Sequence, residues 1–273
     1  MKTWLITGAS SGLGRLMSER LLERGDRVVA MVRREQALED LQQQYGDRLL
    51  VMRLDLAATA SIAPAIASAF ARVGRIDVVV SNAAYGLFGA AEELSDAQIA
   101  RQIATNLTGS IQLIRAVIPH LRQQGGGRIA QISSEGGQVA YPNFSLYHAS
   151  KWGIEGFVEA VRQEVASFGI ELLLVEPGPT VTNFASGLDI AAPLDAYRDN
   201  ASGQFRRAIE AGDFAILGDA GKCVAATLAT LDQETMPLRL ALGSTAYQHI
   251  EAALEARLAE LRTQKALAFG ADA

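Results

Sequence analysis

The stretch Thr7-Gly8-Ala9-Ser10-Ser11-Gly12-Leu13-Gly14, TGASSGLG, follows the apolar triplet Trp4-Leu5-Ile6 and opens onto a run with helical spacing. Three glycines between a strand and a helix have a physical use. Gly8 reaches the backbone angles a tight turn needs. Gly12 carries no side chain that would hold a phosphate off the backbone, and Gly14 lets helix and strand pack closely. Free N–H groups at the helix start then face an anion. The spacing Gly-x-x-x-Gly-x-Gly differs from the commoner dinucleotide pattern Gly-x-Gly-x-x-Gly. It predicts a phosphate-binding turn with Ser10, Ser11 and Leu13 beside the glycines.

Working outward, short apolar runs read as strands over Thr3–Thr7, Arg27–Val32, Leu49–Leu54, Ile76–Val80, Gly127–Ile132, Glu171–Val175 and Leu238–Leu242. Several are apolar without interruption, as strands covered on both faces are. Helical spacing fills Leu13–Glu23, Glu35–Tyr45, Ser61–Arg72, Asp96–Gln123, Tyr147–Phe168, Ala220–Leu231 and about Ala246–Ala266. Strand alternating with helix predicts an α/β fold, a Rossmann-type doubly wound parallel sheet with helices on both faces. No linker or repeat divides the chain, so residues 1–273 read as one dinucleotide-binding catalytic domain. Two long connections, residues 81–93 and 180–217, leave C-terminal strand ends, where such sheets bind ligands.

Composition narrows the function classes. The 273 residues carry a formal net charge of −5 with no basic run, which argues against nucleic acid. Cys223 is the only cysteine, and His120, His148 and His249 lack metal-ligand spacing, so no metal is expected. No apolar stretch is long enough to span a membrane, and no secretory signal is expected at the N-terminus. The expectation is a cytoplasmic protein without membrane or nucleic-acid partners.

The second strand ends Met31-Val32-Arg33-Arg34. An NAD site usually has an acid there for the ribose hydroxyls. A guanidinium instead suits the 2′-phosphate of NADP, so the cofactor reading is NADP(H). Further on, Tyr147-His148-Ala149-Ser150-Lys151 puts a phenol and an ammonium one helical turn apart. An ammonium near a phenol favours phenolate and lowers its pKa, which suits proton exchange with a ketone near neutral pH. Ser134 lies just after the fifth strand. Asn106 and Gly109, poor residues for a helix interior, suggest a kink or a buried polar role.

TGASSGLG, Asp55-Leu56, Ser81-Asn82-Ala83-Ala84, Asn106, ISSEGG, YHASK and Pro177-Gly178 follow in order. Over Thr7 to about Thr182 the chain resembles the short-chain dehydrogenase/reductases, in their compact single-domain branch. The resemblance implies seven strands and a hydride exchanged between a nicotinamide and a carbonyl or secondary alcohol. It implies that Tyr147 is the acid or base and that Lys151 binds the nicotinamide ribose and lowers the Tyr147 pKa. Ser134, thirteen residues before Tyr147, would hydrogen-bond the substrate oxygen, and Asn106 would anchor a proton-relaying water. Asp55, Leu56, Asn82 and Ala83 would border the adenosine, with Pro177, Gly178, Thr180 and Thr182 around the nicotinamide. Ser11 and Arg33, with Arg34 beside it, would meet the 2′-phosphate. The chain departs from the family in reading Ser81-Asn82-Ala83-Ala84 where Asn-Asn-Ala-Gly is usual.

Tyr85, Leu87, Phe88, Glu135, Tyr141, Phe144 and Phe184 follow motif residues on the site's side of the sheet. They are the candidate substrate contacts, mostly apolar or aromatic, which points to an apolar or aromatic carbonyl compound. The Tyr147–Phe168 helix and the final helix, striped with Ile250, Leu254, Leu258 and Leu261, are candidate contacts of a homo-oligomer, dimer or tetramer. A catalytically silent NADP(H) sensor on the same fold is the alternative reading.

Overall fold

The structure is a computed structural model that describes residues 1–213 and 216–272. Residues 214 and 215 of the 180–217 segment, and residue 273, lie outside the described residues. In chain order the elements are β1 (Thr3–Thr7), α1 (Gly12–Glu23), β2 (Arg27–Val32), α2 (Glu39–Tyr45), β3 (Leu49–Arg53), α3 (Ile62–Val73), β4 (Val78–Ser81) and β5 (Leu87–Phe88). Then come α4 (Asp96–Ile103), α5 (Gly109–Gln123), β6 (Gly127–Ile132), α6 (Ser145–Val165), β7 (Ile170–Pro177), β8 (Asp189–Ile190) and α7 (Ala201–Ala211). The chain closes with α8 (Ala220–Asp232), β9 (Arg239–Leu242), α9 (Ser244–Thr263) and α10 (Lys265–Phe269).

The main sheet has seven parallel strands in the order β3-β2-β1-β4-β6-β7-β9. Alternation along each strand divides the core into two. In β1, Trp4 and Ile6 join Met17, Leu21, Val224 and Leu228 on one face. Leu5 joins Ile66, Leu113, Ile114 and Ile154 on the other. Burial on both faces explains the apolar runs. The order reverses between β1 and β4, and the crevice at the C-terminal ends there is where such sheets take ligands.

Two parts depart from the expectation. The connections after β4 and β7 are partly ordered: β5 pairs in parallel with β8 to form a separate two-stranded ribbon, and α7 lies within 180–217. Two-residue strands leave no periodicity to read. The Asp96–Gln123 helix is continuous but interrupted by a π-helical turn over Ala104–Thr108, which gives the expected irregularity a form.

The glycine turn is tightly built. Gly8 has φ +67°, and a Cβ there would sit 2.9 Å from Ala83 Cα. A Cβ on Gly14 would lie 2.5 Å from both the Gly8 carbonyl oxygen and Asn82 Nδ2. The buried Thr7 hydroxyl accepts the N–H of Asn82 (2.9 Å) and of Ala83 (3.1 Å), while Asn82 Nδ2 donates to the Thr7 carbonyl (2.9 Å). On α6, by contrast, a Cβ on Gly156 would meet nothing within 4 Å.

These spaces give opposite expectations. Gly14→Ala should cost about 1–3 kcal/mol by overpacking, whereas Gly156→Ala should gain about 1 kcal/mol by helix propensity. Urea unfolding of the two variants reads the sign directly. Equal effects would contradict the close approach at Gly14.

Candidate active site

The residues named in the glycine turn, and those following β2, β3, β4, β6 and β7, gather at one edge of the sheet because all seven strands run in parallel. Ser11 stands at the N-cap of α1 without a side-chain cap bond, and the first turn holds no acid. A Cβ on Gly12 would find only Thr182 Cβ, at 4.0 Å. The turn is therefore closed beneath, at Gly8 and Gly14, and open above Gly12. That concavity fits a phosphate-bearing dinucleotide. Ser10 is half-buried beside it, and Leu13 packs against the core.

Arg33 and Arg34 are exposed at the end of β2. Asp55 is exposed and accepts the Ala57 N–H (3.0 Å); Leu56 is buried. A Cβ on Gly109 would stand 2.6 Å from the Leu56 carbonyl oxygen, so this glycine is required by close approach. Pro177 ends β7, and the Gly178 N–H donates to Leu242 (3.0 Å). Thr180 Oγ1 donates to the Gly178 carbonyl (2.8 Å), and Thr182 Oγ1 accepts the Phe184 N–H (3.2 Å).

The catalytic candidates converge at the end of β6. Tyr147 and Lys151 are buried on α6, and Lys151 Nζ donates to the Ile132 carbonyl at 2.9 Å. Ser134 Oγ accepts the Gly136 N–H (3.1 Å) and lies within hydrogen-bonding reach of Tyr147. Asn106, in the π turn, clamps the Tyr85 backbone: its Oδ1 accepts the Tyr85 N–H (3.2 Å) and its Nδ2 donates to the Tyr85 carbonyl (2.8 Å). Its carboxamide thus fixes the chain after β4.

The expected lowering of the Tyr147 pKa is corrected here. Burial, reinforced by the Glu135 charge, pushes the phenol up to about 12 against the pull of Ser134. Burial also pushes Lys151 down to about 8, with Glu155 opposing. Desolvation outweighs the pairing, because Lys151 turns its ammonium to the Ile132 carbonyl and stands 5.6 Å from the Tyr147 ring centre.

Several functional neighbours escaped the sequence reading. His148 braces the catalytic loop: its Nε2 accepts the Tyr141 N–H (2.9 Å), so its Nδ1 carries the proton and donates to the Gly136 carbonyl (2.9 Å). Glu155, one turn beyond Lys151, accepts from Ser133 Oγ (2.5 Å) and from Arg239 (2.5 Å). Arg239 also binds Glu159 (2.6 Å) and Glu176. A Cβ on Gly137 would fall 1.7 Å from Glu155 Oε1, and one on Gly136 would fall 2.7 Å from His148 Nδ1. The two glycines of ISSEGG admit these two α6 side chains. Only Tyr147 and Lys151 had stood out on that helix, because the use of the others depends on which strand end the helix crosses.

The substrate candidates Phe88, Phe144 and Phe184 form a run of rings with Tyr147. Phe144 stands edge-on to Phe88 (5.1 Å) and to Tyr147 (5.9 Å), and Phe184 lies 5.6 Å from Tyr147. Phe205 of α7 extends the run, stacked on Tyr141 at 6.3 Å. Glu135 is buried and accepts from the Tyr141 hydroxyl (3.0 Å). Leu87 instead packs into a small core with Leu94 and Ala191. Tyr85 is held by its backbone, and burial raises its phenol against the pull of Arg101. The histidine dismissed for want of metal spacing, His249, reaches in from α9 with Nδ1 2.8 Å from the Tyr141 hydroxyl.

The Arg239 cluster makes a stability prediction. Arg239→Met leaves Glu155 and Glu176 buried without their cation and should cost about 3–5 kcal/mol at neutral pH. Burial, then Glu155, already raises Glu176, and Arg239 pulls it back. An acid with a raised folded pKa favours folding at low pH and loses that contribution as pH rises through the folded value. The variant's deficit should therefore be small near pH about 4 and grow toward neutrality. Urea unfolding across that range checks this, and a pH-independent deficit would contradict it.

Comparison with known proteins agrees with this architecture. The family model described as short chain dehydrogenase matches residues 2–191. An oxidoreductase of Botryotinia fuckeliana, BOA17, is 34% identical over 256 residues, 93% of either chain. The crystal structure of a Streptomyces avermitilis short-chain dehydrogenase superposes with TM-score 0.91 at 37% identity, covering 99% of this chain and 98% of that one. A Burkholderia cenocepacia short chain dehydrogenase in complex with NADP gives TM-score 0.74 at 26% identity, covering 97% and 98%. The chain belongs to the short-chain dehydrogenase family of nicotinamide-dependent oxidoreductases.

Proposed function

We propose that residues 1–273 form one catalytic domain that reduces a carbonyl compound, or oxidises the matching secondary alcohol, with NADP(H) preferred over NAD(H). The observation that carries this is the meeting of Ser134, Tyr147 and Lys151 at the end of β6, on the sheet edge that holds the open glycine turn. When bound, the nicotinamide supplies or accepts the hydride.

The protein's own residues handle the oxygen and the proton. Ser134 and Tyr147 donate hydrogen bonds to the carbonyl oxygen. With its phenol raised to about 12, Tyr147 is protonated at neutral pH and placed to give its proton as the alkoxide forms. Lys151 holds the Ile132 carbonyl and so the strand end carrying Ser134, and its ammonium would hold the nicotinamide ribose. Asn106 fixes the β4 loop and anchors the proton-relaying water. Gly8, Gly12 and Gly14 with Ser10, Ser11 and Leu13 cradle the pyrophosphate. Arg33 and Arg34 hold the 2′-phosphate; their exposure and the lack of an acid ending β2 support that choice, as does the NADP complex of the Burkholderia relative.

The rings of Phe88, Phe144 and Phe184 beside Tyr147 support an apolar or aromatic substrate. The homo-oligomer reading draws on α9, whose Leu254, Leu258 and Leu261 are 49%, 46% and 63% exposed. Among the described residues no helix is long and apolar enough to cross a membrane, and no three potential metal ligands cluster.

The test follows NADPH oxidation across ketones, aldehydes and quinones, with NADH in parallel. Tyr147→Phe should lose about 10²–10⁴ in kcat while nucleotide binding by calorimetry stays unchanged. Full activity in that variant would overturn the mechanism. Nucleotide binding by wild type without turnover of any compound would favour the sensor reading. In Arg33→Ala, kcat/KM for NADPH should fall toward that for NADH, and an unchanged ratio would move the 2′-phosphate elsewhere.

A further inference from the structure

Glu135 follows Ser134 directly, and its side chain is only 6% exposed. Its two carboxylate oxygens differ. Oε1 accepts from the Tyr141 hydroxyl at 3.0 Å. Oε2 is buried and makes no hydrogen bond. His249 Nδ1 stands 3.3 Å from Oε2, an ion pair only when the imidazole is protonated, and is 2.8 Å from the Tyr141 hydroxyl. That hydroxyl has one hydrogen, given to Glu135, so His249 Nδ1–H donates to the hydroxyl oxygen. With a neutral imidazole donating to Tyr141, Oε2 has His249 beside it but no hydrogen bond.

A buried carboxylate oxygen without a donor is costly. Its placement ties it to the site. Glu135 is adjacent to Ser134, and its charge is felt at Tyr147. The Tyr141 ring that satisfies Oε1 also stacks on Phe205 (6.3 Å, 8° between planes). Phe205 in turn meets the edge of Phe144, which touches Tyr147. A wall of rings thus runs from the proton-donating phenol to the carboxylate. Such a surface suits a molecule with an apolar body, a carbonyl at one side and a hydrogen-bond donor at the other.

We propose that Glu135 Oε2 is a recognition acceptor, and that the substrate carries a hydroxyl or ammonium donor which it binds across an apolar or aromatic body. This rests on the carbonyl-reductase reading and deepens it, by giving the candidate substrate contact Glu135 a specific partner. Tyr141 and His249 are positioning residues that aim the carboxylate, so helix α9 helps define specificity.

The test uses meta- and para-substituted acetophenones bearing ethyl, hydroxymethyl or aminomethyl groups of matched size. Turnover with NADPH is measured for wild type, Glu135→Leu and Glu135→Gln, with calorimetric binding of the same ketones to nucleotide-loaded protein. Wild type should favour at least one donor-bearing compound over its ethyl partner by roughly ten- to hundredfold in kcat/KM, mainly through KM. Glu135→Leu should abolish that preference. Glu135→Gln keeps the shape and an acceptor but no charge. It should therefore keep a hydroxyl preference and lose an ammonium one, which separates the two donors and guards against a misfolded Leu variant.

Turnover without donor preference, or a preference that survives Glu135→Leu in folded protein, overturns the inference and leaves the reductase standing. Donor-selective binding that Glu135→Leu removes, without turnover of any ketone, keeps the subsite and overturns the reductase reading. Neither turnover nor selective binding overturns both.

Discussion

Everything at the catalytic edge depends on one constraint, the burial of charge along a single face of α6. Tyr147, Lys151, Glu155 and Glu159 recur every four residues, and the first three are 9%, 3% and 2% exposed. An ammonium and a carboxylate cannot be taken from water without partners. Lys151 is met by the Ile132 carbonyl, Glu155 by Ser133 and Arg239. The partners on β6 and its loop are consecutive residues, Ile132 and Ser133, with Ser134 next. Satisfying the buried charges therefore fixes the backbone that presents Ser134. The need for glycine at 136 and 137 follows, because the His148 and Glu155 side chains occupy the space a Cβ would take. Stability and site geometry are here one set of contacts.

The sheet and its order of elements were legible because burial on both faces leaves uninterrupted apolar runs, as over Trp4–Ile6, Val28–Val32 and Val78–Val80. The glycine turn was legible because backbone contact restricts residue type at fixed positions. Gly14 lies against Gly8 and Asn82 as its reading required. The π turn was half visible: Asn106 and Gly109 announced a break, but nothing in their spacing said that Asn106 would grip the Tyr85 backbone. What stayed hidden depends on pairs distant in the chain. Arg239 reaches Glu155 across 84 positions and His249 reaches Tyr141 across 108. No local pattern encodes such meetings. β5 and β8 are too short to show a period, and they form only because the two long connections lie side by side.

The protonation of the site shows why motif and environment must be read together. From sequence, a lysine four residues after a tyrosine favours phenolate. In the fold both groups are buried, and desolvation favours the neutral form of each. Tyr147 rises to about 12 and Lys151 falls to about 8. Glu135 adds to the first shift and Glu155 opposes the second. The two glutamates therefore act in the same sense, each raising its neighbour's pKa: Glu135 keeps the proton on the phenol and Glu155 keeps it on the ammonium. On the proposed reductase reading, this burial suits an acid that must reach the carbonyl with its proton still attached.

The C-terminal helix completes this argument. α9 begins immediately after β9, so the loop carrying Gly178 and the first turns of α9 are held together: a Cβ on Gly178 would lie 3.1 Å from the Ala246 nitrogen. That contact sets the height of α9 over the site. One turn along, its inner side has Ile250 buried, and His249 is turned toward Tyr141. Along the next turns Leu254, Leu258 and Leu261 are exposed, while Arg257 crosses the Trp152 ring of α6 at 5.0 Å. One helix thus meets the substrate side at its base and offers an apolar stripe at its tip.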